Sequence, residues 1–266
     1  MITIFNKNKF STVNSIVFVA IFLFSGLIVN SAFAKNYEGI FENANKLYQE
    51  KKYNEAIILY DSIESSNYES AELYFNRANA FYKLKKYPSA ILNYEKAKLF
   101  DGSNKDIDFN LQLANLNIVD KIEPLPELLF FKTWYQLLNV FPSKKWAFIS
   151  LAFLWMTLIL LIVLIFTSRH RLKKISSLLT LIFIMFFLFT SYLSFKRYKI
   201  ETQHNFAIIF SPLVYVKSAP DEGSTELFII HEGLKVKILE NVDSWFEIKL
   251  ADGKTGWLQE DDLKKI

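Results

Sequence analysis

The chain has 266 residues, of which 52% are apolar, and its 31 Lys and Arg residues nearly balance its 27 Asp and Glu residues. The absence of cysteine from this sequence excludes disulfide bonds, thiol nucleophiles, Cys-ligated zinc and iron–sulfur clusters. The net charge of +4 is scattered, whereas nucleic-acid binding usually requires a basic face, so no nucleic-acid partner is expected. The apolar residues are gathered into long blocks, which favours membrane and interaction roles.

Residues 1–34 have the order of a secretory signal peptide. Lys7 and Lys9 precede an apolar stretch, Ile16–Val29, which is followed by the small-residue segment Ser31–Ala34. Cleavage at the end of that segment would give the mature chain. The apolar stretch is also long enough to be an uncleaved anchor, and under either interpretation the following domain is exported.

A repeat with a period of 34 residues comes next, because Tyr37–Ser70 aligns with Ala71–Asn104. Alanines recur at the eighth and twentieth positions, where two antiparallel helices would approach closely, and aromatic residues recur beside them. In this pattern the chain resembles the tetratricopeptide proteins, although Tyr68 and Gly102 stand where proline is usual. The predicted repeat domain, including its cap, is 35–122.

The cap and a joint follow the two repeats. Residues 105–122 are amphipathic and resemble half a repeat, which would close the array. The joint, 123–145, begins with Glu-Pro-Leu-Pro, which ends the helix. Within it, Glu127–Phe141 is too apolar for a free surface helix and too short to span a membrane. It should lie along the membrane interface, with Trp134 and Tyr135 at headgroup level, or pack on the repeats.

The tetratricopeptide resemblance implies a partner-binding groove, lined by five positions on one face of each first helix. The corresponding residues are Glu38, Phe41, Asn45, Tyr48 and Gln49 in the first repeat, Glu72, Phe75, Asn79, Tyr82 and Lys83 in the second, and Phe109 in the cap. Amide and aromatic side chains suit an extended peptide or a helical partner. The acidic residue at the second position argues against a clamp for a C-terminal carboxylate. The alternative, that these side chains belong to the repeat core, remains open.

Two charge-free blocks, 146–167 and 175–195, are long enough as helices to cross the roughly 30 Å hydrocarbon core of a bilayer. The connector 168–174 is too short to return outside the lipid, so the helices must form a hairpin with both soluble domains on one side. Positive charges flank both ends almost equally and do not fix the orientation. The signal-like N-terminus favours a cytoplasmic connector, with both soluble domains in the periplasm or outside the cell.

Residues 204–266 change to short, alternating apolar runs separated by turn signals, the pattern of a small all-β barrel. The order of Leu-Phe-Ile-Ile-His-Glu-Gly, Trp245, Asp-Gly and Gly-Trp-Leu resembles the bacterial SH3-like domains. Trp245 and Trp257 either pack in the core or form a surface on which a peptide or cell-wall stem stacks. Carboxylates outnumber lysines in this module, so an anionic polymer is a poor ligand.

Recognisable catalytic motifs are missing from the sequence. The three histidines, His170, His204 and His231, have no other metal-ligand residue at a zinc spacing, and neither a phosphate loop nor a G-x-S-x-G motif occurs. We therefore expect a protein that is not an enzyme and that uses no metal and no cofactor.

The complete order of segments resembles the BatE family of the bacterial aerotolerance (Bat) operons across nearly the whole chain, most sharply at His-Glu-Gly-Leu-Lys-Val, residues 231–236. The resemblance implies a multidomain fold: an all-α tetratricopeptide array, a two-helix transmembrane hairpin and a C-terminal all-β SH3-like barrel. It also implies a noncatalytic inner-membrane scaffold. Its partners would be other Bat proteins, some with von Willebrand factor A domains, beside a MoxR-type ATPase. The alternative is a cell-wall sensor whose SH3-like domain binds peptidoglycan peptides.

Overall fold

The computed structural model describes residues 35–126, 129–203 and 205–266, so the predicted signal segment, 1–34, and His204 lie outside the described residues. The described chain is helical first and then folds as a sheet. The helices are α1 (Lys35–Gln49), α2 (Tyr53–Glu64), α3 (Ala71–Lys83), α4 (Tyr87–Phe100), α5 (Lys105–Asn115), α6 (Leu129–Asn139), α7 (Ser143–Phe166) and α8 (His170–Thr202). The strands are β1 (Phe206–Ile209), β2 (Leu213–Lys217), β3 (Glu226–His231), β4 (Lys235–Val242), β5 (Trp245–Lys249), β6 (Thr255–Gln259) and β7 (Leu263–Lys265).

The first five helices form a compact array of two helical hairpins and one further helix. Helix α1 packs on α2 and α3 packs on α4, and α5 packs on α4. The two hairpin turns are equivalent, since Lys51 and Lys85 both adopt positive φ, 63° and 59°. The alanines of the repeat pattern are fully buried where the helices approach: Ala44, Ala56, Ala78 and Ala90. A helical N-terminal region is therefore confirmed.

Helices α7 and α8 form a second, apolar hairpin, and both are long and apolar enough to cross a membrane. Only residues 167–169 separate them, because α8 begins at His170 and includes most of the basic segment 168–174. Hydroxyl side chains line the contact between the helices, as in the hydrogen bond of 2.6 Å between the Oγ atoms of Ser150 and Ser191. Helix α8 also continues beyond residue 195, so the helix outlasts its apolar block.

Helix α6 packs on the end of this hairpin that is nearest the array. Leu138 of α6, Trp146 of α7 and Leu193 of α8 form one buried cluster, against which Trp134 is partly buried. Tyr135 is exposed. The segment expected at the interface or on the repeats therefore contacts the apolar hairpin itself.

The C-terminal strands form one antiparallel sheet in the order β3-β2-β6-β5-β4-β1-β7. Residues from all seven strands share one buried core, so the sheet must curve around it; the core includes Val216, Ile230, Val236, Phe246, Ile248 and Leu258. Gly256 permits the close approach of β6 to β2, because a Cβ there would lie 2.5 Å from Cγ1 of Val216. The turn predicted at Asp252-Gly253 connects β5 to β6, with Gly253 at φ +95°.

The sheet is docked on the helical array. Ile208 and Ile266 belong to the same buried cluster as Ile91 of α4. At the edge of this contact, Nζ of the partly exposed Lys235 lies 2.6 Å from a carboxylate oxygen of the buried Glu95. The helical array and the sheet thus form one body beside the end of the apolar hairpin.

Candidate functional site

The array repeats one hydrogen-bond pattern at an interval of 34 residues. Oδ1 of Asn45 accepts from the hydroxyl of Tyr60 at 2.7 Å and from Nδ2 of Asn76 at 2.9 Å. In the next unit, Oδ1 of Asn79 accepts from the hydroxyl of Tyr94 at 2.6 Å and from Nδ2 of Asn110 at 3.0 Å. Each asparagine therefore binds its own hairpin to the following helix, and its carbonyl oxygen is used inside the array.

The aromatic positions of the predicted groove follow the same interval. The ring of Phe41 is tilted on that of Tyr60, and the ring of Phe75 is tilted on that of Tyr94, both with centroids 6.0 Å apart. The tyrosine rings are buried, and burial raises the pKa of the Tyr94 phenol above its ordinary value. The phenylalanines are thus partly structural, whereas Phe109 in the cap helix is 60% exposed.

Two depressions on the array contain most of the predicted groove residues. One, of about 350 Å³, is lined in part by Glu38, Phe41 and Glu72. The other, of about 270 Å³, is lined by Tyr48, Asn79, Tyr82 and Lys83 together with Tyr94, Asn110 and Leu113. Tyr82 stacks edge-on with Tyr87, as Tyr48 packs with Tyr53 in the first unit. The groove residues therefore line two separate depressions, and each depression combines residues from adjacent units of the array.

A buried charged network in the array was missed by the sequence analysis. Arg77 donates from Nε to Asn93, at 2.6 Å, and from Nη1 to Asp61, at 2.8 Å, and to Glu64. Burial by itself would raise the pKa of Glu64, but hydrogen bonds and charges from Arg77 and Lys96 outweigh it and hold the pKa at about 2. The network joins α2, α3 and α4, so its role is structural.

The two tryptophans lie on the outer face of the sheet. Phe246, Gly256 and Leu258 alternate with them along β5 and β6 and point into the core. Trp245 and Trp257 are each partly buried on the opposite face. Trp257 is opposite Glu247 and Lys217 on the neighbouring strands. The two tryptophans therefore form part of a surface, which is one of the two positions that the sequence left open for them.

A further contact surface involves the segment between α5 and α6. The Asp120 carboxylate accepts from the backbone N–H of His231, at 2.6 Å, and its other oxygen lies 3.0 Å from Nδ1 of that residue. Two residues later, Ile122 packs against the sheet's core. The backbone N–H of Leu125 then donates to the carbonyl of Ala251 over 3.2 Å. A local sequence pattern could not reveal these contacts, because the partners are more than 100 residues apart.

The strand order, the curved core and the Asp-Gly hairpin of the C-terminal sheet agree with the family that this part of the chain matches. Residues 212–264 match the Bacterial SH3 domain. The matched SH3 domain includes β2 to β6 and most of β7, whereas β1 precedes it and pairs with β4 and β7. Bacterial SH3 domains commonly bind peptidoglycan or proteins. A search of curated proteins gives no significant match to this chain.

In the part of the chain that the structure describes, no three metal-ligand side chains lie together.

Proposed function

We propose that this protein is a noncatalytic scaffold of the bacterial inner membrane, which presents a tetratricopeptide array and its SH3 domain to protein partners outside the cytoplasm. In this proposal α7 and α8 span the bilayer, and the residues between them face the cytoplasm. The partners are other membrane proteins of a Bat-type aerotolerance complex, in which this chain would act as the BatE-like component. No catalytic residue and no cofactor are part of the proposal.

The observation that carries this proposal is the docking of the SH3 domain on the array. Lys235 contacts Glu95, and Asp120 contacts His231, so the soluble parts on either side of the apolar hairpin lie next to each other. A hairpin of two spans returns the chain to the side from which it entered, as this contact requires. The recurrent Asn and Tyr hydrogen bonds support the tetratricopeptide assignment.

Partner binding by the array can be tested by photo-crosslinking in intact bacteria. A crosslinking amino acid at Lys83, on the rim of the second depression, should attach the chain to other membrane proteins. The matched control is Glu55, an exposed residue on α2, where few or no adducts should form. Equal adducts at the two positions, or none at Lys83, would contradict partner binding through this groove.

A second candidate function is binding of peptidoglycan peptides, which the SH3 match favours. Tyr215, which is exposed, extends the outer face that carries Trp245 and Trp257 and provides aromatic surface for stacking. The detergent-solubilised protein would be sedimented with purified sacculi, with Trp257→Ala as the variant and Leu239→Ala as an exposed control on β4. Strong sedimentation that only the tryptophan substitution abolishes would favour this function over the scaffold.

A further inference from the structure

The segment from Val119 to Leu125 contacts the SH3 domain as a bound peptide would, although it belongs to the same chain. It is neither helix nor strand, and it crosses the domain from the end of β3 to the turn between β5 and β6. We call these residues, 119–125, the linker segment. Its contacts with the domain are spaced along the segment, at Asp120, Ile122 and Leu125.

Three anchors hold the linker segment. Asp120 accepts the backbone N–H of His231, which points away from β2 at the open edge of β3. Ile122 inserts its side chain against the core of the sheet. The backbone of Leu125 bonds to Ala251, and its Cδ1 lies close to Gly253, where a Cβ would be 3.2 Å away. Backbone bonds combined with side-chain pockets at fixed spacing are the means by which proteins recognise extended peptides.

The surface is larger than the linker segment fills. A cavity of about 470 Å³ remains between the segment and the domain, and its domain side is lined by Phe228, Ile229, Ile230, Leu250, Asp252 and Lys254. Ile229 is 47% exposed at the edge of β3, and no strand among the described residues pairs with the outer side of β3. A longer extended chain would therefore gain apolar contact with Ile229 and polar contact with Asp252 and Lys254.

We propose that this surface is a peptide-recognition groove, that the linker segment occupies it as an intramolecular ligand, and that a partner displaces the segment with a chain of the same chemistry. That chemistry is a carboxylate, an apolar side chain two residues later and, three residues after that, a backbone N–H that reaches Ala251. The inference rests on the proposed protein-binding role of the SH3 domain. It identifies the face of the domain that binds and the kind of peptide that this face binds. A tethered ligand acts at a high effective concentration, so the groove is closed to weak partners.

The test uses the full-length protein in detergent and a fluorescent peptide with the sequence Val-Asp-Lys-Ile-Glu-Pro-Leu-Pro, which copies residues 119–126. The variant Asp120→Ala/Ile122→Ser removes two anchors from the linker segment and should bind the peptide at least tenfold more tightly than the unaltered chain. A peptide with the same two replacements should bind neither protein. Leu116→Ser, which changes a 71% exposed residue just before the segment, should leave the affinity unaltered.

Hydrogen exchange keeps the test decisive if the double variant is less stable. The amide of His231 should exchange faster in the variant and regain protection when the peptide is added, while the amides of β5 and β6 stay protected. If β5 and β6 lose protection, Asp120→Ala alone is used with the same expectations. No gain of peptide affinity in a folded variant would overturn the inference. Retained crosslinking at Lys83 in that case would leave the proposed scaffold function standing.

Discussion

The guanidinium group of Arg197, near the end of α8, donates from Nη2 to the backbone carbonyl of Leu99, in the last turn of α4, across 2.6 Å. Its Nη1 donates to Oδ1 of Asn139, also across 2.6 Å, and its Nε donates to Glu201. The side chain is only 3% exposed. One arginine therefore ties the end of the apolar hairpin to the helical array and to α6.

Substitution of Arg197 should separate these parts. Arg197→Leu leaves the Leu99 carbonyl and the Glu201 carboxylate without this donor, and we expect a loss of about 3 kcal/mol in the free energy of unfolding. Urea unfolding of the detergent-solubilised protein, followed by tryptophan fluorescence, measures the change. Lys199→Leu removes an exposed cation from the same helix and should have little effect. Similar losses in the two variants would contradict the proposed role of the arginine.

Asn79 should stabilise the array whether or not a partner is bound. Asn79→Ala leaves the buried hydroxyl of Tyr94 without its acceptor, at an expected cost of about 2 kcal/mol. Thermal or urea unfolding tests this cost, and Asn43→Ala, on the exposed side of α1, is the matched control. An Asn79→Ala protein of unaltered stability that nevertheless loses its partners would instead make this amide a binding group.

The Glu64 carboxyl should make the stability of the array depend on pH. Because its pKa falls from 4.5 to about 2 on folding, the ionised group stabilises the folded state above pH 4.5, by about 3 kcal/mol at most. Its side chain is 28% exposed, so we expect a loss of about 2 kcal/mol for Glu64→Gln at pH 7.

The difference between the Glu64→Gln variant and the unaltered protein should shrink as the pH falls from about 4.5 toward 2. Unfolding free energies measured across this range provide the test. Glu55→Gln, which changes an exposed residue of α2, should show little difference at any pH. A constant deficit for Glu64→Gln down to pH 2 would mean that the carboxyl stabilises through its shape and not its charge.

Gly233 should report on the docking of the SH3 domain. It has φ +86°, and a Cβ there would lie 2.4 Å from Cγ2 of Ile118, so Gly233→Ala should cost about 2 kcal/mol. Adding Ile118→Ala should recover the steric part of that loss but not the backbone strain. Gly223→Ala is the control, since the nearest atom, Oδ2 of Asp221, would be 3.4 Å away. Strict additivity of the two substitutions in unfolding measurements would exclude this contact.

The parts of the fold that repeat or alternate could be predicted from the sequence. The buried alanines follow from the 34-residue period, the apolar hairpin from its charge-free blocks, and the strands from alternating residues such as Phe246 and Ile248. Hydropathy marks the apolar block and not the helix end. The extension of α8 to Thr202 therefore could not be predicted from it. The period did not reveal that Asn79 serves the array internally, because the pattern gives a position but no hydrogen-bond partner.

Contacts between distant residues could not be predicted. Arg77 looks like any exposed cation in the sequence, and its burial depends on acceptors in two other helices. Asp120 lies in a linker, and only the fold brings it to His231. Docking of the C-terminal sheet likewise depends on the packing of Ile91 with Ile208 of β1, for which no local pattern exists.

Membrane topology tests the central claim most directly. The chain has no cysteine, so single cysteines at Asn43 in the array, at Ser168 between the apolar helices and at Asn241 in the SH3 domain can each be labelled with a membrane-impermeant maleimide. In intact spheroplasts, the cysteines at 43 and 241 should react, and the one at 168 should react only after permeabilisation. Labelling of 43 and 241 from opposite sides of the membrane would contradict the account.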